Sequence, residues 1–158
     1  MPVIPQPIII VDTREKKPFQ FTCPVERRAL PTGDYSIDGY THRVSVERKS
    51  IDDFISSVTS SRKRFINEIK RLADIRRAHD DGGTLVCVVI EGTIRDVKLA
   101  CEMKGVNFHS IFATAASLHA SWGIPILFIG ERWLTAKYTE EMLMKFNATA
   151  IKRGLSRE

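Results

Sequence analysis

The stretch Gly33-Asp34-Tyr35-Ser36-Ile37-Asp38-Gly39-Tyr40-Thr41-His42-Arg43-Val44-Ser45-Val46-Glu47-Arg48-Lys49 has the form of a β-hairpin. If Gly39 to His42 make the turn, Asp38 faces Arg43, Ile37 faces Val44, Ser36 faces Ser45, Tyr35 faces Val46 and Asp34 faces Glu47. Side chains alternate across a sheet. One face then carries Tyr35, Ile37, Val44 and Val46, and the other Asp34, Ser36, Asp38, Arg43, Ser45 and Glu47. A slip of one residue would scramble this sorting. The register sets the Cβ atoms of Asp34 and Glu47 roughly 5 Å apart. Like charges placed so invite a cation, and two carboxylates with carbonyl and water oxygens suit Mg²⁺. Lys49 follows Glu47 by two positions and points the same way, where its ammonium can hold a phosphate oxygen or orient an attacking water.

Beyond the hairpin, Ser50 is placed to cap a short helix carrying Ile51, Phe54, Ile55 and Val58 at helical spacing. Asp53, at the third helical position, completes a capping box with Ser50. Ser61 can cap a longer helix with Phe65, Ile66, Ile69, Leu72 and Ala73 on one face, stopped at Gly82-Gly83. That helix carries Arg62, Lys63, Arg64, Lys70, Arg71, Arg76 and Arg77 against Glu68 and Asp74, and Arg62 and Arg64 start it nearest the carboxylates. Such a face can track a phosphate backbone, or simply be solvated. Upstream, Ile8 to Val11 reads as a buried strand ending at Asp12, Lys16 to Pro24 as a loop, Val25 to Leu30 as a strand and Pro31-Thr32-Gly33 as a turn. Downstream, Leu85 to Ile90 is an apolar run of the kind covered on both faces. Asn107 to Trp122 reads as a helix, Ile124 to Ile129 as a strand and Thr135 to Ile151 as a helix. Strands followed by alternating helix and strand predict an α/β fold, a mixed central sheet with helices on both faces.

Residues 1–158 are expected to form one domain, with an extended leader at 1–7 and a C-terminal tail at 152–158. A net charge of +5 and a pI of about 9.3 favour a polyanionic partner. Cys23, Cys87 and Cys101 have no zinc spacing, and Cys87 reads as a small buried hydrophobe. Unpaired cysteines, with neither a signal peptide nor an apolar run of membrane-spanning length, point to an intracellular setting and no membrane partner. His42, His79, His109 and His119 are scattered, with no ligand spacing. Glu91 reads as an exposed carboxylate ending its strand, and Met142, Leu143, Met144 and Phe146 as core or a dimer face. No phosphate-cradling glycine loop is present.

Gly33-Asp34, then Glu47-Arg48-Lys49, then Asp53 resembles the active-site motif of the XPF-type structure-specific endonucleases, and Val11-Asp12-Thr13-Arg14-Glu15 is similar to that family's first strand motif. The resemblance implies a restriction-endonuclease-like fold and metal-dependent cleavage of DNA near branches, flaps or junctions. It implies active-site positions at Asp12, Arg14, Asp34, Glu47, Arg48, Lys49 and Asp53, with Asp12, Asp34 and Glu47 as ligands of Mg²⁺ or, in its place, Mn²⁺. It also implies a homodimer, or a heterodimer with a related subunit, acting on branched or flapped DNA. The residues support Asp34, Glu47 and Lys49 independently. Arg14 reads equally as a surface ion pair with Glu15, and Asp53 as a helix cap. Two other readings are a non-catalytic branched-DNA-binding subunit and a restriction or junction-resolving nuclease of the same fold. The tandem helix-hairpin-helix motifs that follow the nuclease domain in many members are not among these 158 residues.

Overall fold

The structure is a computed structural model that describes residues 3–158, so Met1 and Pro2 of the expected leader lie outside the described residues. Six strands form one sheet in the order β2-β1-β3-β4-β5-β6. They are β1 (Ile9–Val11), β2 (Val25–Arg27), β3 (Tyr35–Ile37), β4 (Val44–Ser50), β5 (Leu85–Glu91) and β6 (Ile126–Phe128). β3 runs antiparallel to β1 and β4, whereas β1–β2, β4–β5 and β5–β6 are parallel, so the sheet is mixed. The helices are α1 (Ile51–Val58), α2 (Arg62–Arg77), α3 (Ile94–Lys104), α4 (Phe108–Trp122) and α5 (Arg132–Arg153).

Alternation along β5 divides the interior into two cores. Val86, Val88 and Ile90 pack with α1 through α4, around Phe54, Ile69, Cys101 and Ile111. Cys87 and Val89 pack on the other side with Ile9, Tyr35, Val46 and Leu143 of α5. Helices therefore cover both faces, as expected, and Met142, Met144 and Phe146 pack beside Leu143 in the second core.

The hairpin register is the expected one, with Tyr35 opposite Val46. Toward the turn it departs from a simple ladder. The Val44 amide donates to Tyr40 O, Ser36 Oγ donates to Val44 O, and Asp38 pairs with Arg28 rather than facing Arg43. Arg43 turns inward to Asp81 and Gly83 O. The polar hairpin face is not an open one, because Ser36, Arg43 and Ser45 are buried.

Several boundaries move for local reasons. β2 is three exposed residues and stops short of Leu30. Ser50 Oγ accepts from the Asp53 amide, but Asp53 returns no bond, so the expected capping box is half made. Ser61 makes no side-chain cap, and α2 ends at Arg77 with Ala78 as its cap, well before Gly82. α3 carries little apolar periodicity, with Val97 and Cys101 as its buried residues, although a Thr93/Asp96 capping box and Gly105 mark its ends. α5 runs to Arg153, so the expected tail begins inside a helix. Beyond Gly154 the chain docks against the hairpin turn, where Glu158 accepts from the His42 amide at 3.1 Å and Ser156 from Arg43 at 3.0 Å.

Gly33 precedes β3 with φ +78°, and a Cβ there would lie 2.1 Å from Ser45 Oγ. Gly82 has a similar φ of +66° but nothing within 4 Å. Gly82→Ala carries the left-handed penalty alone, about 1–2 kcal/mol. Gly33→Ala adds the clash. Denaturant midpoints are expected to rank wild type above Gly82→Ala above Gly33→Ala, and equal midpoints for the two variants would show that Ser45 yields freely.

Candidate active site

β4 presents Ser45, Glu47 and Lys49 on the side where its neighbours Val86, Val88 and Ile90 meet α1 through α4. Over β5 and β6 that side is apolar. Over β3 and β4 it is polar, and α1 and α2 stand back from it to leave a cleft of about 300 Å³. Asp34, Glu47, Lys49, Asp53, Arg14, Arg64 and Glu68 line the cleft, with Ser56, Ser57 and Ser61 along its helical wall.

Asp34 sits just before β3. By the register Gly33 would face Arg48, but its positive φ takes it out of the strand, and the Arg48 amide donates to Asp34 Oδ2 at 2.8 Å instead. Burial raises the Asp34 pKa, the Arg48 amide opposes this, Glu15 adds to it, and the net shift is upward. Glu47 is raised by burial and then by Asp34, with Lys49 opposing and Glu68 adding. Lys49 is buried, its Nζ 3.5 Å from Glu47 Oε1, 3.3 Å from Glu68 Oε2 and 4.9 Å above the Phe65 ring. Among the described residues Asp34 Oδ1 and Glu47 Oε2 take no hydrogen bond. Two adjacent carboxylates with free oxygens, both resisting ionisation, fit a hard divalent cation that completes its shell with water.

The other expected site residues are placed differently. Asp12 neighbours Asp34 across the β1–β3 pairing, its amide donating to Asp34 O at 2.9 Å, but its side-chain oxygens are engaged. Its Oδ1 accepts from the Leu30 amide at 2.8 Å and its Oδ2 from Arg14 Nε at 2.8 Å. Burial alone would raise its pKa, but Arg14 and the Leu30 amide lower it overall. With the Asp12 oxygens so engaged, no group of three His, Cys, Asp or Glu side chains among the described residues is placed to hold a metal. Arg14 pairs with Asp12 rather than Glu15, and its exposed guanidinium reaches the cleft rim. Asp53, freed from the capping box, lines the cleft.

Arg48 borders the cleft, but its guanidinium lies on the α5 side of the sheet, forked onto Glu15 at 3.0 Å and bonded to Glu91 at 2.9 Å. Glu91 is thus not an exposed strand end; it is 13% exposed and joins Arg48 to Arg132. Arg62 donates to Thr114 of α4, away from the cleft, whereas Arg64 is open at the rim. Glu68, like Glu15, is a cleft carboxylate that the sequence reading passes over. Its signal is its place three residues after Phe65, on the inward face of a helix otherwise rich in base. His42 and His79 pack ring to ring at 5.2 Å, far along the hairpin from this cleft.

Residues 11–142 match the family model described as the ERCC4 domain. The chain belongs to the ERCC4 domain family. This ERCC4 domain is similar to the 3'-flap repair endonuclease Xpf of Saccharolobus solfataricus, 29% identical over 118 residues, which are 74% of this chain and 43% of that protein. It is also similar to a protein of Methanocaldococcus jannaschii named for an ATP-dependent RNA helicase, 27% identical over 140 residues, 87% of this chain and 15% of that one. The chain thus spans less than half the length of either. Two solved structures share its fold. XPF from Aeropyrum pernix in complex with DNA superposes with a TM-score of 0.66 at 24% identity, covering 91% of this chain and 66% of that one. XPF from the same organism gives 0.65 at 26%, covering 87% and 60%. The fold is restriction-endonuclease-like, and the ERCC4 domain is a nuclease domain related to Xpf.

The upward shifts at Asp34 and Glu47 carry a stability consequence. An acid whose folded pKa lies above its unfolded value binds protons more tightly when folded. Its penalty is absent below the unfolded pKa and grows as pH rises through the folded one. Without divalent cations at neutral pH, Asp34→Asn is expected to melt roughly 2–4 °C above wild type, the shift of about 1 kcal/mol in a chain of this size. The gap should close as pH falls toward the unfolded carboxylate range. A variant less stable at every pH would show that the Arg48 amide needs a charged partner.

Proposed function

We propose that the chain is a Mg²⁺-dependent endodeoxyribonuclease, Mn²⁺ substituting, that hydrolyses phosphodiester bonds near branches, flaps or junctions in DNA. The observation that carries this reading is the pairing of Asp34 with Glu47 beside Lys49 in one polar cleft. The kinship with a flap endonuclease supports it. We read residues 1–158 as one intracellular nuclease domain that works as a homodimer or beside a related subunit; no helix of the described residues is long and apolar enough to cross a membrane.

In this proposal Asp34 and Glu47 hold the ion, with Asp12 acting behind Arg14 rather than as a ligand. Bound there, a divalent cation supplies Lewis acidity toward the phosphate and lowers the pKa of a water. The residues do the rest. The Arg48 amide fixes Asp34 in place. Lys49, anchored over Phe65 between Glu47 and Glu68, turns an ammonium N–H to a phosphate oxygen or to the nucleophile. Asp53 and the serines of α1 wall the cleft opposite. Arg14 and Arg64, 69% and 86% exposed at the rim, neutralise flanking phosphates. Arg62, tied to Thr114, contributes where the backbone passes α4.

Cleavage of labelled duplex, flap, fork and four-way-junction DNA in Mg²⁺, Mn²⁺ or chelator tests the reading. Metal-dependent cutting near a branch is expected, with Asp34→Ala and Lys49→Ala each lowering kcat by about 10²–10³-fold or more. Cutting that survives both substitutions sinks the site. Tight branch binding without cleavage in any metal identifies a non-catalytic subunit instead. Arg64→Ala is expected to weaken binding evenly across sequences and reduce the salt slope by about 1; an unchanged slope removes Arg64 from the DNA path.

A further inference from the structure

Beside the cleft, reaching to the α5 side of the sheet, four charged side chains alternate in sign. Glu15 receives the fork of Arg48 at 3.0 Å through both oxygens, Arg48 donates to Glu91 Oε1 at 2.9 Å, and Arg132 donates to the same oxygen at 2.6 Å. Glu15, Arg48 and Glu91 are 5%, 11% and 13% exposed, so this is a network largely withdrawn from water. Arg132 is the first residue of α5 and more open, at 44%. Its second nitrogen donates to Lys17 O at 2.7 Å and Pro18 O at 3.0 Å, and the Lys17 amide donates back to Glu15 at 2.9 Å. Both guanidinium groups lie near the Phe19 ring, at 6.0 and 5.0 Å from its centre. Arg132 thus closes a ring of bonds running through the 15–18 loop, Glu15, Arg48 and Glu91.

Two members of that ring, Glu15 and Arg48, border the cleft, and Arg48 is bonded to the site through its backbone amide on Asp34. Charge-assisted bonds of fixed direction orient the groups they hold, and a guanidinium with two carboxylate partners cannot rotate without breaking one of them. We infer that Arg132 and Glu91 are positioning residues for the active site, acting through Arg48 to hold its amide against Asp34. Neither touches a reacting atom. The inference rests on the nuclease reading for its consequence in catalysis, but not for its effect on the amide. Outer partners of this kind typically change activity or metal affinity by about 10–100-fold when removed.

The test compares wild type with Arg132→Ala, Arg132→Lys and Glu91→Gln. It follows hydrogen exchange at the Arg48 amide by NMR, together with kcat and KM on flapped DNA in Mn²⁺. For Arg132→Ala and Glu91→Gln, exchange at Arg48 is expected to quicken about tenfold while the other β4 amides keep wild-type rates, and kcat to fall about tenfold at unchanged KM. Arg132→Lys, which keeps a charged donor to Glu91, is expected to stay within about threefold of wild type. Wild-type exchange at Arg48 in both Arg132→Ala and Glu91→Gln overturns the inference. So does quickening spread evenly over β4 and β5, which marks a packing role alone. If the wild-type protein cuts no DNA, the nuclease reading falls and the Arg48 exchange rate still decides this one.

Discussion

Everything in the cleft depends on one bond that a regular sheet would not contain, from the Arg48 amide to the Asp34 carboxylate. β4 runs on past the start of β3, and the residue that would have paired with Arg48 is a glycine turned to positive φ. The amide left over is buried among charges and needs an acceptor. Asp34 supplies it, and in doing so its carboxylate is drawn in beside Glu47 rather than out toward water. The site is thus seated on a backbone vacancy at the end of a hairpin, which explains why a motif residue with a long side chain, Arg48, matters there through its main chain.

Much of this was legible in the sequence because the hairpin is local. Period-two alternation between Gly33 and Lys49 allows a single register, and the structure keeps it at Tyr35 and Val46. The two-sided burial of β5 was likewise written in an unbroken apolar run. What could not be read depends on distant packing. Asp12 was placed with the metal ligands by the family resemblance alone, yet the Leu30 amide and Arg14 claim its oxygens, and neither pairing has a sequence signature. Arg62 and Arg64 differ only in helical phase, so sequence ranked them together. Glu91 looked exposed at a strand end because its arginine partners come from β4 and from α5, which begins 41 residues later. Glu68 was hidden by the basic residues around it.

The two faces of the sheet divide the work. Toward α5 the strands offer an apolar floor to Leu143 and the Tyr35–Phe19 stack, whose rings lie 5.3 Å apart, and the charged ring is set at its margin. Toward α1 and α2 the same strands present carboxylates and a lysine to a cleft that the helices do not fill. Packing on one side holds the backbone firm while charge on the other remains unneutralised, a distribution that favours a site preorganised before its ligand arrives.

The order of the strands along the chain also sets the order in which this environment can come together. The β3–β4 pairing joins neighbours in sequence, while β4 meets β5 across two helices and Glu91 meets Arg132 across two more. Contacts that close short loops form sooner than those that close long ones. The nascent hairpin can bring Asp34 and Glu47 side by side while both are still hydrated and their repulsion is weak. The low-dielectric surroundings are imposed later, when the crossover helices close over them. Assembly in that sequence avoids ever having to carry two bare charges into a finished interior.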